Sequence, residues 1–402
     1  MWLGRVGSVE PEFTGNAPLD IARSLFSLAL MTSELISDPA ALRPDTPWRT
    51  TRWAWTSEED LADHASRPRL CVAALLPFKD RQPDWEGFSK CIRWMREAAA
   101  HFGVEIVFVL NADTGYIFDL DEVLYSEVLR RFRADFPEQR FIAGVTARGA
   151  EQDQGFRAER YRPLLDIVQT HDNCEVMLMT SRHLAALGPE ARRDAYYALA
   201  EYLTHPALVH ALEPAFVPWA TPFEPWLLHQ LAQHPRFIGG KVSTLTEPHF
   251  LYWAAMSRDL GLDFIPHSGD DFGLATAVKM GLPLLVGAGA SAAPLLCAAI
   301  HMWQSESRSA QVTRFDTRVY KLFEAIQSFE DLVFRLDAKG SASAYKHSTA
   351  HVLHLLGLLT SPEAHPACRD LRGSDEPARM REAMERPLRM ARELGIPGFA
   401  LR

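Results

Sequence analysis

The chain is predicted to fold as an α/β protein, a (β/α)8 TIM barrel with an N-terminal extension and a C-terminal helical subdomain. Three observations predict it. Eight short apolar runs occupy residues 70–77, 104–111, 140–146, 174–180, 208–216, 236–242, 262–268 and 283–288. They recur roughly every 20 to 35 residues, the span of a βα unit, with amphipathic segments between them. No GxGxxG follows the first run, which argues against the open doubly wound sheet that is the alternative.

Each element has its own justification. Strands buried on both faces read as near-continuous apolar runs rather than as alternating ones. The segment 84–101 places Trp85, Phe88, Ile92, Trp94 and Met95 at helical spacing, giving one apolar face. The barrel is expected over 68–305, since chains of this class routinely exceed 200 residues. Residues 306–402 read as a helical subdomain, with helices at 317–334, 342–359 and 377–394; Gly395 is the expected stop. Pro362, Pro366 and Gly373 mark the loop between the last two helices. Residues 1–67 form the extension, with an amphipathic helix near 19–36 and a Trp-rich stretch at 48–55. That stretch reads as an interface, a lid, or aromatics packed on the barrel wall.

Composition bounds the function. The 402 residues are 47% hydrophobic and 23% charged, the balance of an ordinary globular enzyme. A net charge of −9 argues against an electrostatic footprint for nucleic acid or an anionic membrane. The apolar stretch 24–31 is too short to span a bilayer, and the first residues lack the pattern of a signal peptide. Cys71, Cys91, Cys174, Cys297 and Cys368 are scattered and form no CxxC or Cys/His cluster. They read as small core residues, which suits a reducing cytoplasm.

Lys241 is the residue that points to chemistry. It sits inside an apolar run, Phe237-Ile238-Gly239-Gly240-Lys241-Val242. Desolvation lowers a buried lysine's pKa and leaves an amine able to attack a carbonyl. The competing reading is a lysine at a strand end whose ammonium snorkels to water.

The residues around it resemble a known family. Leu76-Pro77-Phe78-Lys79-Asp80 resembles the TPF opening of the dihydrodipicolinate synthase / N-acetylneuraminate lyase family. Ala112-Asp113-Thr114-Gly115-Tyr116, with Leu120, resembles its GTTGE turn, and Phe141-Ile142-Ala143-Gly144-Val145 its third strand. Ile238-Gly239-Gly240-Lys241 is similar to the strand carrying the Schiff-base lysine, and His267-Ser268-Gly269-Asp270-Asp271 to the seventh-strand SGDD. The stretch from Gly281 to Pro294 resembles the eighth-strand glycine run, and Lys346 to Leu359 the KxxL…LGL helix. The resemblance covers about residues 68 to 396.

It implies a divergent Schiff-base-forming lyase, an aldolase or dehydratase, acting on a small 2-oxo acid or related carbonyl compound. No cofactor and no metal are implied; a cytoplasmic homo-oligomer, dimer or tetramer, is. Lys241 and Glu213 are the expected catalytic pair, with Asp113, Thr114, Gly115, Ser181, His183, Ser268 and Gly287 expected to bind substrate. Counting back from Lys241 without gaps puts Glu213 at the family's strand-5 proton-relay tyrosine. Three further departures separate this chain from the family pattern. Asp113 replaces a threonine, and its charge is expected to repel a substrate carboxylate. Pro218 falls where the synthases carry an arginine for a dicarboxylic aldehyde. Met179-Thr180-Ser181-Arg182-His183 replaces a tyrosine-bearing turn. Asp271 is expected to cap the following helix.

Two rival functions remain open at this level. One is a metal-dependent barrel hydrolase or isomerase with His183, Glu213, His267 and Asp270 as ligands, although their spacing matches no recognised site. The other is a catalytically lapsed barrel that binds a ligand or partner without turnover.

Overall fold

The computed structural model describes residues 69–150, 153–243, 264–279, 282–307, 317–368 and 371–401. The expected extension, with its helix at 19–36 and its Trp-rich stretch, lies outside the described residues. Eight parallel strands form a closed barrel: β1 Arg69–Ala73, β2 Glu105–Leu110, β3 Phe141–Val145, β4 Cys174–Leu178, β5 Ala207–Leu212, β6 Phe237–Ser243, β7 Ile265–Ser268 and β8 Leu284–Val286. Each pairs with its neighbours in chain order, and β1 closes the ring against β8. The predicted fold is therefore the observed one.

The helices follow from sequence and caps. Helix α1, Trp85–Phe102, starts where the Asp84 carboxylate accepts from Gly87 N–H at 2.9 Å, and ends at Gly103 with φ +64°. Helix α2 is Glu122–Asp135, capped by Asp121; α3 is Arg162–Val168, α4 Pro189–Ala200, α5 Pro225–Gln233 and α6 Leu274–Lys279. Residues 244–263, between β6 and β7, lie outside the described residues. Helix α7, Gly289–Ser307, packs on β1 and α1. The approach is close: a Cβ on Gly289 would sit 2.6 Å from Val72 Cγ2.

Helices α8, Thr317–Val333, and α9, Tyr345–Leu355, pack against α7. The helix expected over 377–394 is instead two, α10 Glu376–Ala383 and α11 Glu385–Glu393. Pro387 is the cause, because it has no N–H to offer the carbonyl of Ala383. Gly395 does end the second piece, with φ +63°. The barrel and these helices belong to one compact unit.

Register fixes which side chains face the axis. Lys241 pairs with His210 of β5 and with His267 of β7, and Ser243 pairs with Leu212. Register partners on parallel strands point to the same side. The inner face thus carries His210, Lys241, Ser243 and His267, with Lys241 and Ser243 toward one end. At the other end Glu175 of β4 accepts from Arg140 at 2.8 Å and lies 3.6 Å from Arg69. That ionic cluster fills the N-terminal end of the barrel, the end that serves stability rather than chemistry in this fold.

Candidate active site

Lys241 is 7% exposed and lies on the inner face of the barrel, in register with His210 and His267. Burial lowers its pKa, opposed by the charges of Asp271 and Asp113 and by Cys71. Among the described residues its ammonium nitrogen has no ion pair within 4.0 Å. The stem passes over Gly269, where a Cβ would lie 2.6 Å from Lys241 Cε and 2.6 Å from Ser243 Oγ. The glycine after β7 leaves the space that the lysine occupies.

Beside it, His210 Nε2 lies 3.1 Å from Ser243 Oγ and Nδ1 lies 3.0 Å from Met179 Sδ. Burial, and then the Lys241 charge, push its pKa well below the ordinary histidine value, so the imidazole is neutral. His267 is lowered to about 3 by burial and by Arg69, and its Nδ1 lies 3.1 Å from the Ile265 carbonyl. Arg69, the charge that acts on it, belongs to the ionic cluster.

Asp271 is the titratable group with the largest electrostatic effect on Lys241. Burial raises its pKa to about 7, opposed by Lys241 and by the Ala288 N–H, which donates to Oδ1 at 2.7 Å. The expectation that Asp271 caps the following helix needs correcting. Asp270 makes that local turn, accepting from Phe272 N–H at 2.9 Å, whereas Asp271 reaches across to the corner before α7.

The turn after β2 is bracketed by two left-handed residues, Asn111 (φ 49°) and Tyr116 (φ 62°). Such non-glycine conformations persist only where the surroundings enforce them. Tyr116 is locked edge-on against Phe78 at 5.8 Å. The turn presents Asp113 and Thr114. Asp113 accepts from Tyr345 Oη at 2.9 Å and pairs with Lys346 Nζ at 3.0 Å, both from α9. Thr114 Oγ1 lies 2.8 Å from Tyr345 Oη. The Tyr345 ring stacks on Phe334 at 4.4 Å, and burial with the Asp113 charge raises its pKa well above the usual value.

The other expected residues fall as follows. The charge on Asp113 is balanced by Lys346, so its expected repulsion of a carboxylate is offset within the protein. The Gly115 N–H, expected to face substrate, donates to the Ala112 carbonyl inside the turn at 3.0 Å. Gly287 lies beside Thr114 and Phe334: a Cβ there would meet Phe334 Cζ at 2.9 Å and Thr114 Oγ1 at 3.4 Å. Ser268 pairs with Val242 on the outward side, and its Oγ accepts from Asp270 N–H at 3.4 Å. Ser181 Oγ accepts from Leu184 N–H at 3.3 Å, capping the one-turn helix Arg182–Ala185, where His183 is half-buried. Glu213 was expected within the apolar strand; it lies one residue beyond β5, half-buried, and its carbonyl accepts from Phe216 N–H. The charges that act on Lys241 among the described residues include those of Asp271, Asp113 and Cys71. In β5 the register neighbour of the lysine is His210.

Sequence reasoning missed His210, Ser243, Tyr345 and Lys346. His210 carried a legible signal, an imidazole inside an apolar run. Lys346 opened the KxxL-like helix, but nothing in the sequence tied it or Tyr345 to Asp113, which lies more than 230 residues upstream. Among the described residues no group of three or more His, Cys, Asp or Glu could hold a metal ion. No helix of the described residues is long and apolar enough to cross a membrane. Two hollows beside α1, lined by residues such as Arg93 and Glu97, contain none of the site groups.

Fold and site together define a (β/α)8 barrel with a desolvated lysine on its sixth strand. Solved structures to which the chain is similar include dihydrodipicolinate synthases and a member of their family. The enzyme from Bacteroides thetaiotaomicron is 17% identical, with a TM-score of 0.64 over 80% of this chain and 98% of that one. The Thermotoga maritima enzyme is 14% identical, with a TM-score of 0.61 over 80% and 98%. YagE, a prophage protein of the dihydrodipicolinic acid synthase family from E. coli K12, is 13% identical, with a TM-score of 0.65 over 80% and 99%. At these identities the likeness establishes the fold. No family model and no curated protein matches the sequence.

Proposed function

We propose that this barrel is a Schiff-base-forming lyase, an aldolase or dehydratase, acting on a small 2-oxo acid or related carbonyl compound through Lys241. The observation that carries the reading is a desolvated lysine amine inside the barrel, without an ion pair among the described residues. Barrel enzymes of this class collect their chemistry at the C-terminal strand ends, where Lys241, Asp113 and Asp271 gather. YagE was solved in complex with pyruvate, a 2-oxo acid, which supports the compound class.

In the proposed reaction the neutral Lys241 amine adds to the carbonyl carbon, giving a carbinolamine. The carbinolamine oxygen takes a proton and leaves as water, and the protonated imine accepts the electrons of a neighbouring C–C or C–O bond. Asp271, held at about 7, is suited to give and retrieve that proton, the role that spacing had assigned to Glu213. Lys241 and Asp271 each act on the other's ionisation, and the uncharged form of both holds the amine and the acid that the first steps require. Thr114, Tyr345 and Asp113 form a hydrogen-bonded chain that would orient substrate oxygens at the opposite wall.

A binding role without turnover is the second reading. It is favoured by the strand-2 turn, where the Asp113 carboxylate and the Gly115 N–H are engaged by the protein itself. One experiment addresses both. The protein is incubated with pyruvate, other 2-oxo acids and small aldehydes, reduced with borohydride, and analysed by mass and peptide mapping. An adduct on Lys241 that disappears in Lys241→Ala is expected. No adduct at that position refutes the lyase reading, and an adduct without product release selects the second.

A further inference from the structure

Glu330, on α8, has no exposed surface and takes no part in the steps above. Its Oε1 lies 3.1 Å from Ser291 Oγ, and among the described residues its Oε2 has no hydrogen-bond partner. The charges with the strongest effect on it, Asp271 and Asp331, are both negative. A carboxylate in that setting would be a buried charge held by a single hydroxyl, a poor exchange for its hydration. As an acid it fits its surroundings atom by atom. Its O–H donates to Ser291 Oγ, and the serine proton goes to the Ala288 carbonyl at 3.2 Å. Oε2 is then a carbonyl oxygen, the cheapest kind of polar atom to leave without a partner. Ala288 in turn donates its N–H to Asp271.

We infer that Glu330 is an uncharged carboxylic acid and a positioning residue: through Ser291 and the Ala288 backbone it holds the Asp271 carboxyl facing Lys241. The positioning role rests on the Lys241 reading; the uncharged state of Glu330 does not. Burial raises the Glu330 carboxyl well above its usual range, and the Asp271 charge adds to that. Asp271 itself faces Lys241, Asp270, Glu330 and Tyr345. An ionised Glu330 would raise Asp271 further, whereas a neutral one leaves it free to follow Lys241.

The test has two readouts. Difference infrared spectroscopy, well above the ionisation of Asp271, should show a protonated-acid carbonyl band that Glu330→Gln removes. The glutamine N–H can replace the acid O–H toward Ser291, so Glu330→Gln should keep the wild-type ionisation of Asp271 by carbon-13 NMR, and the wild-type pH profile of Lys241 trapping. Ser291→Ala, which breaks the chain with little change of volume, should shift that profile and slow trapping roughly three- to tenfold, the scale of one net hydrogen bond. Absence of the acid band overturns the inference, as does a shifted profile in Glu330→Gln or an unmoved one in Ser291→Ala. If the wild type traps no carbonyl at all, the lyase reading falls alone. The infrared band and the NMR titration of Asp271 in both variants then decide the inference.

Discussion

Gly269→Ala isolates the geometry of the lysine from its chemistry. The new methyl carbon would lie 2.6 Å from Lys241 Cε, 2.9 Å from Lys241 Cγ and 2.6 Å from Ser243 Oγ. Carbon atoms rest about 3.5–4.0 Å apart, so the lysine stem must retreat by about 1 Å. Overpacking of this kind costs about 1–3 kcal/mol, which lowers the melting temperature by several degrees. The larger effect falls on reactivity. A reacting atom displaced by about 1 Å can lose about a hundredfold in rate. Stopped-time borohydride trapping, scored by intact mass, measures this directly, and calorimetry reports the stability. Gly188→Ala is the control, since a Cβ there meets nothing within 4 Å. Trapping by Gly269→Ala at the wild-type rate would refute the placement of the lysine against the strand-7 turn.

Two further outcomes follow from the charges. Asp271 ionises at about 7 in the folded state, above its value of about 3.9 in an unfolded chain. Its contribution to stability is therefore complete below the unfolded value and lost as pH rises through the folded one. Urea unfolding should show the wild type losing stability relative to Asp271→Asn between about pH 4 and about pH 7; parallel curves would exclude a raised Asp271. At the opposite end, Glu175→Gln removes the carboxylate shared by the buried guanidinium of Arg69 and the partly buried one of Arg140. It should cost about 3 kcal/mol by denaturant midpoint while Lys241 trapping in the folded protein stays normal. A loss of trapping without a loss of stability would mean that the two ends of the barrel are coupled.

The strands were legible because burial on both faces writes them as unbroken apolar runs, and all eight appear where those runs lie. Their ends were less so. The run 208–216 continues past Leu212 because Phe216 and Val217 are buried in the loop that follows, not in the sheet. That overrun is why gapless counting placed Glu213 inside a strand and next to the lysine. The strand also shifts register at Ala207 and Leu208, which counting along the chain cannot detect. Lys241 stood out as a charge in an apolar context, and that signal is local. The settings of Asp113, Asp271 and Glu330 are not local, because each depends on a partner brought in by another element: Lys346 on α9, the Ala288 N–H before α7, and Ser291 within it. Composition and spacing carry no record of such encounters.

The union of Asp113 with Tyr345 spans 232 positions of the chain. A ribosome that has delivered all eight strands has therefore still to deliver the helix that braces the second-strand turn. Until it does, the acidic side chain there lacks both its ammonium and its phenol, and the reactive end of the ring stays unfinished. Competence thus arrives late in synthesis, after the scaffold, so a prematurely terminated product would hold the amine without the wall opposite it.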